Sequence, residues 1–101
     1  MLIKPTQLDK IFKALAHKDR RFMVQVLCAG EATGSKLVEL TPMTMPGVLQ
    51  HLKILEDSGL VGSEKDGRVR TYWVDPDALR VATYWIDSRK REIRRHARGA
   101  R

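Results

Sequence analysis

Pro42 and Pro46 stand just ahead of an apolar run of helical period, and their spacing dictates how the middle of the chain must fold. A residue preceding a proline is pushed out of the helical region, so a helix arriving at Thr41 has to stop there. A proline in the first turn of a helix is tolerated, because first-turn N–H groups have no intrahelical partner. Thr44 is suited to cap such a helix, its hydroxyl accepting from a backbone N–H of the first turn. The segment TMPGVLQHLKILEDSGLV, residues 44–61, therefore predicts a capped helix over residues 44–58, ended by Gly59 and preceded by a break at Thr41-Pro42-Met43. At about 100° per residue, Val48, Leu52 and Leu55 make its buried stripe. Pro46, Gln50, Lys53 and Asp57 point the other way, with Leu49 at the boundary.

The flanking segments complete a pattern. In QLDKIFKALA, residues 7–16, Leu8, Ile11, Phe12 and Leu15 share one helical face behind Pro5. Asp19 is placed to cap a second helix over residues 20–29, whose broad apolar set of Phe22, Met23, Val26 and Leu27 predicts deep burial before Gly30 stops it. Thr33 is placed to cap a short third helix through Leu40, with Leu37, Val38 and Leu40 inward. Residues 60–65 and 68–74 flank Asp66-Gly67, a tight-turn dipeptide expected to place both residues at positive φ. Arg68 and Arg70 then share one face, with Lys65 across the turn. Asp75-Pro76 opens a last helix with the stripe Leu79, Ala82, Trp85/Ile86 and Ile93, which runs into a basic end. The order α-α-α-α-β-β-α is mainly helical with a small β-hairpin: a winged helix-turn-helix in residues 1–88, with residues 89–101 as a basic helix end and tail.

Charge narrows the partners. The chain carries a net +7, of which residues 89–101 contribute +6 with seven Lys/Arg and one Glu. That balance points to a polyanion, nucleic acid first, but a basic tail can also be merely solvated. The body supplies the sharper reading. The N-terminal residues of a helix in a major groove meet base edges. Behind the Thr44 cap, Pro46 and Gly47 carry little bulk, Gln50 can pair with an adenine edge, Lys53 can reach a phosphate or guanine, and Leu49 can touch a thymine methyl. Lys65, Arg68 and Arg70, on a wing over residues 61–74, can hold phosphates without reading sequence. Double-stranded DNA is the expected partner. The alternative is a winged helix used for protein interaction or for non-specific nucleic-acid binding, in which these residues form an ordinary solvated surface. No apolar run approaches the roughly 18 residues of a membrane span. The N-terminus lacks a signal-peptide layout, so a cytoplasmic location is expected. No nucleophile–base set and no phosphate-cradling glycine loop stands out, so an enzyme is not expected.

The segments ALAHKDRRFMVQVL, KLVEL, TMPGVLQHLKILEDSGLV and KDGRVRTYWVDPDAL together resemble the ArsR family of winged-helix repressors over residues 8–86. The resemblance implies a homodimer joined through the first and last helices, where Leu8, Ile11, Leu79, Ala82, Trp85 and Ile86 are the expected interface. It also implies an imperfect inverted repeat as target and repression as outcome. Two positions depart from the pattern: Lys18 stands where the family often has proline, and Leu49 where it often has serine. Relatives of this type are often metal sensors. Here TGSKLVEL has neither cysteine nor histidine, and no histidine pair stands at i, i+4 on the last helix. No metal or cofactor is expected, and the sequence does not identify a small-molecule effector. His17 is expected to be structural, His51 reads as a packed or capping histidine at least as readily as a DNA contact, and Cys28, the single cysteine, is expected to be a buried small hydrophobe.

Overall fold

The computed structural model describes residues 6–96; Pro5 and residues 97–101 of the basic tail lie outside them. The chain runs α1 (Gln7–Leu15), α2 (Lys18–Cys28), β1 (Ala32–Thr33), α3 (Gly34–Leu40), α4 (Met45–Asp57), β2 (Val61–Asp66), β3 (Val69–Val74) and α5 (Pro76–Arg95). This is the expected mainly helical architecture with a hairpin, plus one strand the sequence did not announce. β1 pairs antiparallel with β3, Ala32 opposite Tyr72 and Thr33 opposite Thr71, giving a three-stranded sheet of order β1-β3-β2. Two residues carry no readable alternation, so only the tertiary pairing reveals this strand.

Caps set the helix boundaries. Thr6 and Asp9 form a reciprocal capping box at α1. Thr33 Oγ1 accepts from the Lys36 N–H at 3.1 Å and opens α3. Thr44 Oγ1 accepts from the Gly47 N–H at 3.4 Å and opens α4, which puts Pro46 in the first turn as expected. α2 corrects its prediction: it begins at Lys18, and the cap is His17, whose Nδ1 accepts from the Asp19 N–H at 3.1 Å. A histidine lone pair does here what the Asp19 carboxylate was expected to do.

The core gathers Ile11, Ala14, Met23, Val24, Leu27, Leu37, Val48, Leu52, Leu55, Leu60, Val61, Tyr72, Ala78 and Ala82. The α4 stripe is as predicted. Phe22 and Leu40 are exposed instead of inward, because α2 buries only the narrow set Met23, Val24 and Leu27, and the short α3 turns only Leu37 fully inside. Cys28, at the last position of α2, is exposed rather than packed. At the end of α4 the Ser58 hydroxyl donates to the Leu55 carbonyl at 2.7 Å and accepts from the Leu60 N–H at 3.2 Å. Gly59, at φ +86°, completes the reversal into β2.

The hairpin turn is displaced by one residue from its expected place. Asp66 pairs with Val69, so the central residues are Gly67 and Arg68, and only Gly67 has a positive φ, +64°. A glycine in the first central position satisfies the twist of the strands by itself, and Asp66 stays in the ladder. Arg68 consequently sits in the turn, not on the strand face that carries Arg70. No described helix is long and apolar enough to cross a membrane.

Candidate nucleic-acid interface

α4 presents one continuous exposed face. Thr44, Pro46, Leu49, Gln50 and Lys53 are all exposed, while Val48, Leu52 and Leu55 on the opposite side anchor the helix in the core. Lys53 Nζ lies 3.7 Å from Asp57 Oδ2, an exposed pairing along the helix that an external anion can displace. Beside this face stands the wing. Lys65 and Arg70 are directly opposite each other in the ladder, so both side chains leave the same face of the hairpin. Met45 and Leu49 of α4, Thr33, Gly34 and Ser35 at the start of α3, and Arg68, Val69, Arg70 and Tyr72 of the wing line one open cleft. Of the expected contact residues, Leu49 of the helix and Arg68 and Arg70 of the wing border this cleft, and Thr44, Pro46, Gln50, Lys53 and Lys65 do not line it.

Two groups at this surface were not legible in the sequence. The Ser63 hydroxyl donates to Glu56 Oε2 at 2.8 Å, and Arg70 Nη1 donates to Ser63 Oγ at 2.8 Å. These residues meet only because β2 folds back on the end of α4, and no local pattern signals it.

The expected dimer residues divide. Trp85 and Ile86 are exposed, with Phe12 of α1 edge-on to Trp85 at a centroid distance of 6.0 Å and Arg89 stacked 5.1 Å from the Trp85 ring. Leu8 and Leu79 are half-buried. Ile11 and Ala82 are corrected: they face the protomer's own core, 0% and 7% exposed, because they occupy the inner edges of helices whose outer edges carry Phe12 and Trp85. Tyr84 and Ile93 are also exposed on α5, on opposite faces of the helix.

Folding also assembles a set that helical spacing could not predict. His17, Asp19 and His51 bring one ligand atom each within 4.8 Å of one another. Both ring Nδ1 atoms of the set are already engaged. His17 Nδ1 already accepts the Asp19 N–H. His51 Nδ1 faces Arg20 Nη1 at 3.3 Å and must accept from it, since a guanidinium has no lone pair. Arg20 is held in place by bonds from Nε to the Ala14 carbonyl, 2.7 Å, and from Nη2 to the Lys13 carbonyl, 3.2 Å. A dication bound through either Nδ1 would have to break one of these hydrogen bonds, and it would lie beside the fixed Arg20 charge. The histidine rings, 4.6 Å apart, join the start of α2 to the middle of α4.

Burial, then the neighbouring His17 and Arg20, hold His51 below its ordinary value of 6.5, with Asp19 opposing weakly. The fold therefore favours neutral His51. Its contribution to stability is complete above pH 6.5 and is lost as pH falls through the lowered folded-state value. The thermal midpoint is expected to drop between pH 7.5 and 5 by circular dichroism, and His51→Gln is expected to flatten that drop. An equal drop in both proteins would place the acid sensitivity elsewhere.

Known proteins with the same pattern carry regulatory names. Residues 17–63 match the profile described as bacterial regulatory protein, arsR family. The chain is 37% identical over 71 residues to the HTH-type transcriptional regulator Rv2034 of Mycobacterium tuberculosis, covering 70% of this chain and 66% of that one. It is 36% identical over 73 residues to the probable mercury resistance operon repressor of Streptomyces lividans, covering 71% of this chain and 58% of the repressor. The chain thus spans less than two thirds of either relative's length. The crystal structure of the ArsR family transcriptional regulator RHA00566 superposes with a TM-score of 0.81 at 35% identity, covering 90% of this chain and 94% of that one. The homodimeric winged helix-turn-helix DNA-binding domain Mb0332 of Mycobacterium bovis shares the fold, with a TM-score of 0.69 at 23% identity over 90% of this chain and 85% of its own.

Proposed function

The chain belongs to the arsR family of bacterial regulatory proteins, and on that premise we propose that it is a cytoplasmic, homodimeric, sequence-specific DNA-binding repressor of transcription. The observation that carries this reading is the common surface of α4 and the wing. Leu49 and Arg70 border one cleft, and Gln50, Lys53 and Lys65 are exposed on the elements that form it. α4 enters the major groove with Thr44, Pro46, Leu49 and Gln50 toward the bases, and Lys53, Lys65, Arg68 and Arg70 hold the backbone. The exposed Phe12, Trp85, Ile86 and Ile93 form the dimer face, with the half-buried Leu8 and Leu79 at its edge. The homodimeric state of Mb0332 supports this arrangement. A two-fold dimer reads an inverted repeat with half-sites about one helical turn apart.

The repressor works without a bound transition metal, a reading supported by the Arg20 cation that lies against His51 beside the His17–Asp19–His51 set. Fluorescence-anisotropy titrations of its operator should give the same affinity with a chelator and with one equivalent of zinc per protomer. Release from the operator at stoichiometric zinc would contradict metal independence. Dimers that never form at micromolar concentration by light scattering would contradict the inverted-repeat arrangement.

A further inference from the structure

The wing arginine is connected to the recognition helix through one hydroxyl. Ser63 lies opposite Tyr72 and Lys65 opposite Arg70, so Arg70 is the diagonal neighbour of Ser63 on the face that buries Val61 and Tyr72. A carboxylate only accepts, a guanidinium only donates, and a serine hydroxyl has one proton and two lone pairs. The direction of both bonds is therefore set: Ser63 gives its proton to Glu56 Oε2 at 2.8 Å and receives Arg70 Nη1 at 2.8 Å. Glu56 is in the last turn of α4, while Arg70 is exposed on β3.

We infer that Glu56 and Ser63 are positioning residues for DNA binding, which hold Arg70 in the orientation from which it contacts a backbone phosphate once α4 is in the groove. This rests on the reading of α4 and the wing as one DNA-binding surface. The guanidinium has five N–H donors, so a bond to Ser63 through Nη1 leaves others for a phosphate. An arginine free in solution must surrender its rotamers on binding, whereas one already held by Ser63 has surrendered most of them. Because the anchor is on α4, wing and recognition helix approach the duplex in one register.

The test is a double-mutant cycle read by anisotropy, with a duplex selected from a random pool and its scramble, for wild type, Ser63→Ala, Ser63→Thr, Arg70→Ala and the Ser63→Ala/Arg70→Ala pair. Ser63→Ala should weaken binding by about three- to tenfold for each wing engaged, the scale of ordering one long side chain. Ser63→Thr, which keeps the hydroxyl, should restore it. In the Arg70→Ala background Ser63→Ala should have no further effect, because its whole action passes through the arginine. Glu56→Gln, which keeps an acceptor but not the charge, should fall between. Equal losses with and without Arg70, or no loss in either, would overturn the relay. A wild type that does not distinguish the selected duplex from its scramble would overturn the DNA-binding reading itself, and the relay with it. Thermal melts of each variant separate these outcomes from misfolding.

Discussion

Leu52→Ala is expected to lower the free energy of unfolding by about 2–5 kcal/mol. Leu52 is 1% exposed and sits between Val48 and Leu55 on the stripe that seats α4 against the core. Truncation removes the transfer free energy of the deleted methyl groups and leaves a cavity that neighbouring side chains fill only in part. Domains of this size have about 5–15 kcal/mol of stability in total, so the loss is a large share of it. Urea unfolding at fixed protein concentration should show a lower midpoint with an unchanged slope. Ile54→Ala, on the exposed side of the same helix, is the control and should change the midpoint little. Equal effects of the two substitutions would mean that α4 does not pack through the Val48–Leu52–Leu55 stripe.

Gln50→Ala should have the largest effect on recognition. A glutamine paired bidentately with an adenine edge contributes about 1–3 kcal/mol of discrimination, and a two-fold dimer presents it twice. The specific duplex should therefore weaken by at least about thirtyfold, while the scramble changes little. Gln50 is exposed in the middle of α4 and its removal leaves the buried stripe intact, so folding should be unaffected. Lys53→Ala provides the contrast: loss of a phosphate contact weakens both duplexes and flattens the salt dependence by about 0.9 in log K per log salt for each contact. If Gln50→Ala weakens both duplexes equally, Gln50 supplies affinity and not sequence reading.

Sequence alone conveyed most of the architecture because its strongest signals are local. Thr44 with Pro46, the i, i+4, i+7 spacing of Val48, Leu52 and Leu55, and Gly59 mark α4 without reference to the rest of the chain. Asp75-Pro76 does the same for α5. The failures have a common physical origin in tertiary context. β1 is too short for any periodicity and exists because β3 offers it a free edge. His17 displaces Asp19 as the α2 cap through a ring nitrogen, a capper that the usual residue preferences do not highlight. The turn shifted to Gly67-Arg68 because one glycine was enough to satisfy its geometry. Phe22 and Cys28 read as core from composition, but α2 buries a narrower strip than its apolar content suggests.

The candidate interface shows the same division. Exposure of Gln50 and Lys53 followed from helical phase, whereas the Lys65–Arg70 pairing came only with the turn displaced to Gly67-Arg68. The link from Glu56 through Ser63 to Arg70, and the joint of His17, Arg20 and His51, bring together residues from separate elements and leave no local trace. Ile11 and Ala82 show the converse limit. Periodicity identifies an apolar face but does not say whether its partner is the same chain or a second copy.

On the proposed function, α4 and the wing together read a DNA sequence. The most direct measurement is selection of bound duplexes from a random-sequence pool by the intact protein, with a chelator present, followed by anisotropy titration of the enriched duplex and its scramble at several salt concentrations. The account predicts enrichment of an imperfect inverted repeat with half-sites about 10–10.5 base pairs apart, bound far more tightly than its scramble at every salt concentration. A pool that stays random, with both duplexes bound equally and only through salt-sensitive contacts, would contradict it.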